Sequence, residues 1–223
     1  MGAYEVFNRR GVTRLCHFTK VQSLTHILSS PDGIMATSKI NKDILNQVDP
    51  VRADGELDFV CCSIEYPNSW YFDVAKNRDD SLIFREWVIL FIDIEVLKIR
   101  EAKVCECNAA KMNGVYICEG NEKNCEHLFD NRVSSFQYSR TEKMLSNCPT
   151  NAQSEVMIRD NIPREYIMGV AVGDEENAAT IYAMKKTLGI EYINIYIAPQ
   201  VLNKDWRSYI QDGKRPIEKL FCC

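Results

Sequence analysis

The chain has 223 residues, of which 46% are hydrophobic and 26% charged, with a formal net charge of −4. That length and apolar content suit one domain with a real core, and the acidic balance does not suggest a non-specific nucleic-acid coat, so any nucleic acid must be held by local basic patches. No apolar run approaches the ~20 residues of a membrane-spanning helix, so no membrane association is expected.

The first ten residues lack the basic-then-apolar order of a secretory signal. The ten cysteines therefore read as reduced thiols of a cytoplasmic protein. Residues 14–18 predict a strand. Residues 19–33 predict a helix with Thr19 as N-cap, an apolar stripe of Val21, Leu24, Ile27 and Leu28, and Pro31 and Gly33 at its end. Residues 36–57 predict a long loop with one helical turn at most, of the kind that is usually functional. Strands are expected at 59–66, 87–94, 103–108, 153–158, 166–172 and 193–199, where β-branched and aromatic residues gather. Pro67 opens a short helix over 67–75, and a further helix is predicted over 134–147. The best-marked helix spans 174–189: Asp174 caps it, acids fill its first turn, lysines its last, and Gly189 stops it. Residues 109–135 predict an irregular insertion. The fold class is α+β in a single domain over 1–223.

Alternation along residues 153–159 places Gln153, Glu155, Met157 and Arg159 on one face and Ser154, Val156 and Ile158 on the other. The first face is too polar for a core and too apolar for bulk water, which suits the wall of a cleft. The sequence contains no GxGxxG, P-loop, GxSxG or HExxH pattern.

Four segments in order resemble the DarT family of ADP-ribosyltransferases. LCHFTKVQSLTHIL (15–28) is similar to the opening strand and helix, and DPVRADGELDFVCCSIEYPNSWYF (49–72) to a loop arginine running into the next strand. KVCECNAA (103–110) is similar to a Thr-Asp-x-Asn-Ala-Ala segment, and QSEVMIRDNIPREYIMGVAV (153–172) to the strand bearing the catalytic glutamate. The chain departs at Val60-Cys61-Cys62-Ser63-Ile64, where the family has Val-Pro-Phe-Tyr-Phe, and Glu106-Cys107 replace its Thr-Asp pair.

The resemblance implies mixed and antiparallel sheets around a cleft for NAD, the substrate that gives up ADP-ribose to a base in single-stranded DNA or RNA. It implies Glu155 and Arg52 as catalytic residues and His17, Thr19, Tyr66 and Tyr71 as contacts to NAD. Arg14, Trp70, Asn108 and Arg140 would contact nucleic acid, no metal is involved, and an antitoxin protein is the expected partner. His26 is expected to be structural. Two rivals stay open: transfer to RNA or protein, and a nucleic-acid-binding module organised by zinc on Cys105, Cys107, Cys118, Cys125 and His127.

Overall fold

The computed structural model describes residues 2–40, 53–78 and 86–222. In chain order it contains α1 (Ala3–Arg10), β1 (Leu15–Lys20), α2 (Val21–Ser29), β2 (Ile34–Met35), β3 (Phe59–Ile64), α3 (Ser69–Arg78), β4 (Trp87–Ile92), β5 (Ala102–Cys105) and β6 (Ile117–Glu119). There follow α4 (Glu122–His127), β7 (Glu155–Arg159), β8 (Asn161–Ile162), β9 (Ile167–Val172), α5 (Glu175–Thr187), β10 (Asn194–Ile197), α6 (Trp206–Gln211) and β11 (Lys219–Leu220).

Nine strands form one sheet in the order β11-β10-β9-β4-β1-β3-β7-β5-β6. Every neighbouring pair is antiparallel except β9 with β10. The α+β expectation holds. β4 is buried at all six positions, as its unbroken apolar run requires of a strand covered on both faces. On one face Leu90, Val156 and Val170 pack under α1, α2 and α5 through Phe7, Leu24, Leu28 and Ile181. On the other, Cys16, Ile89 and Phe91 pack against Trp206 and Ile210 of α6.

One irregularity in the sheet opens it along one seam. β1 runs beside β4 over six residue pairs but meets β3 at only two, Leu15–Ile64 and Cys16–Ser63. Beyond those pairs the two strands part. The sheet opens into a wedge whose walls are the second half of β1 and the first half of β3.

Several expectations are corrected. Thr19 does not cap a helix: it is the fifth residue of β1, paired with Val88, and Lys20 takes the cap position with no side-chain bond. A β-branched side chain in a six-residue ladder outweighs a single cap bond. Residues 134–147 form turns rather than a helix, because their polar groups have other partners: the Glu106 carboxylate takes the N–H groups of Ser134 and Ser135, and the Arg140 guanidinium takes the carbonyls of Cys148 and Leu145. Conversely, the irregular 109–135 stretch holds β6 and α4, the latter capped by Asn121. Elements of three and six residues are too short to show a period. β7 and β9, consecutive in the alternating pattern, lie on opposite sides of the wedge with three strands between them.

Candidate active site

The wedge continues into a cleft of about 950 Å³, at the upper end of the range for small-molecule sites. Its floor is the start of β7, where Glu155 lies opposite Ser63 of β3 and Cys105 of β5. β-strand alternation sends Val156 and Ile158 into the main core, and Glu155 to the cleft.

Glu155 is 6% exposed, and its carboxyl is surrounded by donors. Oε2 accepts from the Ala109 N–H at 2.8 Å, and Oε1 from the side-chain amides of Asn108 at 3.1 Å and Asn68 at 3.5 Å. Burial pushes its pKa up to about 7 against these donors, and the Asp54 carboxylate, also in the cleft, adds to the rise. A carboxyl poised near neutrality can both stabilise developing positive charge as the anion and take up a proton.

Each donor is positioned by its own local structure. Asn68 is buried; its N–H donates to Ser63 Oγ at 2.8 Å and its side-chain oxygen accepts from the Tyr71 N–H at 3.1 Å, which makes it the N-cap of α3. Asn108 and Ala109 lie in the turn after β5, where the Asn108 side chain also accepts from the Ala110 N–H.

Across the wedge, His17 of β1 donates from Nδ1 to the Cys61 carbonyl of β3 at 2.9 Å, since a carbonyl can only accept. The imidazole thereby bridges the two strands where their own ladder has ended. Thr19 and Tyr71 also line the cleft, and the Tyr71 ring lies 6.0 Å from that of Phe18.

The structure thus brings Glu155, His17, Thr19, Tyr71 and Asn108 to one cavity. Asn108 is placed on Glu155 rather than on an outer surface. Tyr66 is elsewhere: it is buried and stacked on Trp206, with ring centroids 5.3 Å apart. Arg14 is also held inside. Its guanidinium pairs with Glu218 through both nitrogens, donates to the Glu65 carbonyl at 3.0 Å and covers the Phe91 ring at 3.7 Å. Arg140 is spent on backbone carbonyls. The expectation that these three contact ligands is corrected by that commitment to internal partners. Trp70 is 55% exposed beside Tyr71. Arg52, and most of the 36–57 loop, lie outside the described residues.

His26, expected to be structural, lines the cleft with Gln22 and Ser23. The signal was present: 22, 23 and 26 form the polar stripe of α2 opposite Leu24 and Leu28. Asn68 and Ala109 were also missed; a cap residue and a backbone N–H carry no motif. The zinc alternative finds no support among the described residues, where no group of three or more His, Cys, Asp or Glu side chains is arranged to hold a metal ion.

A sequence model described as "ssDNA thymidine ADP-ribosyltransferase, DarT" matches residues 16–206. The chain belongs to the DarT family. It is an ADP-ribosyltransferase. The DarT fold is seen in solved structures of low identity. Thermus sp. 2.9 DarT in complex with ADP-ribosylated ssDNA superposes with a TM-score of 0.62 at 10% identity, over 86% of this chain and 96% of that one. The same protein in complex with NAD+ gives 0.56 at 13%, over 83% and 96%. Thermosipho africanus DarTG in complex with ADP-ribose gives 0.57 at 15%, over 85% of this chain and 51% of that one. At these identities the likeness is one of fold. No curated protein matches the sequence. Among the described residues no helix is long and apolar enough to cross a membrane.

Proposed function

We propose that this DarT-family chain transfers ADP-ribose from NAD+ to thymidine in single-stranded DNA, with Glu155 as the catalytic carboxylate. The observation that carries this reading is a buried carboxyl at the floor of a dinucleotide-sized cleft, held by three N–H donors and poised near neutral pH.

The bond between the ribose C1′ and the nicotinamide nitrogen breaks, and nicotinamide leaves with the electron pair. The sugar acquires oxocarbenium character, as in glycoside cleavage. Glu155 as the anion stabilises that charge through the ribose hydroxyls, and the contact strengthens as charge develops. In a thymine nucleoside only one ring nitrogen carries a proton. That nitrogen bonds to C1′, and its proton passes to the carboxylate, whose pKa near 7 suits the task. His17, Thr19, Tyr71 and His26 hold NAD+ along the cleft, and Trp70 offers an exposed ring for a splayed base. Arg52 clamps the pyrophosphate.

The activity would poison the cell that makes it, so a neutralising partner is expected. The Thermosipho africanus DarTG chain, of which the match covers about half, supports such a pairing. Co-expression with a partner that removes ADP-ribose should restore growth.

The test incubates the protein with labelled NAD+ and separate DNA, RNA and protein pools. Label should enter thymidine-containing single-stranded DNA. Glu155→Gln should reduce the rate ~100- to 1000-fold. Label confined to RNA or protein would overturn the acceptor; equal rates in the variant would overturn the role of Glu155.

A further inference from the structure

We propose that Glu106 is a positioning residue for the transfer reaction, fixing the turn whose Asn108 and Ala109 hold Glu155. The inference rests on the reading of Glu155 as the catalytic carboxylate. Glu106 does not line the cleft and touches no reactant, so it acts through geometry alone.

Glu106 is 6% exposed and joins three segments at once. Its Oε1 accepts from the Ser135 N–H at 2.7 Å and from the Ser134 hydroxyl. Its Oε2 accepts from His127 Nε2 at 2.8 Å and from the Ser134 N–H at 3.3 Å. Its main-chain carbonyl accepts from the hydroxyls of Ser135 and Ser154, both at 3.1 Å. Ser154 immediately precedes Glu155. Two and three residues after Glu106, the Asn108 amide and the Ala109 N–H meet the Glu155 carboxyl. One residue therefore fixes both sides of the catalytic carboxylate: the strand that bears it and the turn that donates to it.

The other end of the cluster is ionic. His127 gives Nε2 to Glu106 and Nδ1 to Asp130 Oδ2 at 2.7 Å. Two carboxylates can only accept, so the imidazole donates on both sides and is the cation. Asp130 and then Glu106 accordingly raise its pKa, and these are the charged groups that face it. Burial works to raise the Glu106 pKa, but Ser134, His127 and Ser135 together bring it below the ordinary range. A buried anion with this many donors holds its surroundings in one arrangement. A misplacement of about 1 Å remote from the chemistry is enough to cost ~100-fold in rate.

The experiment compares the parent chain with Glu106→Gln, His127→Gln and Glu155→Gln, each confirmed to melt cooperatively. The first readout is the ¹³C titration of the Glu155 carboxyl, which needs no turnover. In Glu106→Gln its midpoint should move upward, because the Ala109 and Asn108 donors are no longer held to the anion. The second is turnover on a thymidine-containing single strand at saturating NAD+. It should fall up to ~100-fold with KM for NAD+ little changed. His127→Gln should shift both readouts in the same sense and by less; the parent should lose turnover as His127 deprotonates at high pH, and the variant should lack that loss. An unchanged Glu155 titration in the folded variants would overturn the proposal, as would a rate loss no larger than the lost folded fraction. If Glu106→Gln does not fold, His127→Gln decides by the same readouts. A parent that labels no nucleic acid would sink the proposed function instead, and the titration would still settle the positioning role.

Discussion

Glu155 is costly where it stands, and the cost has a pH signature. Burial raises its pKa from 4.5 to about 7. Below pH 4.5 the carboxyl is neutral in folded and unfolded chains alike. As the pH climbs toward 7 the unfolded chain releases its proton first, so the folded state binds more protons and loses stability across that window. Glu155→Gln removes the titration. The melting temperature of the variant, measured relative to the parent from pH 4 to 8, should rise through the window and level off near 7. Transfer by the parent should increase over the same range, because the working form is the anion. Arg14 makes the opposite case of a charge kept for the fold. Burial alone would lower its pKa, yet the pair with Glu218 holds it above its usual range. Arg14→Met should leave Glu218 without its partner and lower stability by ~3–5 kcal/mol in urea unfolding. Affinity of the folded fraction for single-stranded DNA should not change, and a selective loss of binding would return Arg14 to the nucleic-acid surface.

At the scale of elements, the cleft depends on how α2 is joined to the strands below it. Gly33 ends that connection with φ at +66°, and a Cβ there would lie 2.2 Å from the Ile162 carbonyl oxygen of β8. The left-handed backbone and the close approach both require glycine. Gly33 and Ile34 also line the cleft. Gly33→Ala should cost at least ~1–2 kcal/mol in denaturant unfolding and weaken NAD+ binding measured by calorimetry. Unchanged affinity would show that this turn does not shape the site. By contrast α5 follows its sequence signals closely: Asp174 accepts from the Asn177 N–H at 2.8 Å, and Gly189 takes φ of +68° just past the end. Its helical character depends on local groups, which is why it could be read without the fold.

For the whole molecule, the cysteines are the test of compartment. All nine described cysteines are free thiols, six of them buried in Cys16, Cys62, Cys105, Cys107, Cys125 and Cys148. They pack as small apolar groups. A thiol reagent should titrate ten groups in denaturant, while the native protein reacts in a fast class led by Cys118 and Cys222 and a slow class set by unfolding. Reductant should leave the melting temperature unchanged, and a drop would reveal a disulfide that supports the fold.

Local signals told much of this protein in advance. Alternation set Glu155 on the face opposite Val156 and Ile158, although of that face only Glu155 lines the cleft and Met157 packs into a core cluster; the unbroken run of β4 marked a buried strand, and caps and charges marked α5. Each is a property of residues within a few positions of one another. The wedge between β1 and β3 was not legible, because it arises from a ladder that stops after two pairs. Nor were the partners of Glu155, since Asn68 and Ala109 reach it from positions 87 and 46 residues away in the chain. The catalytic role of Glu155 was implied by the family resemblance of its strand; its pKa followed from neighbours in space. Burial and hydrogen bonding are sums over the folded surroundings, and only the tertiary structure supplies them.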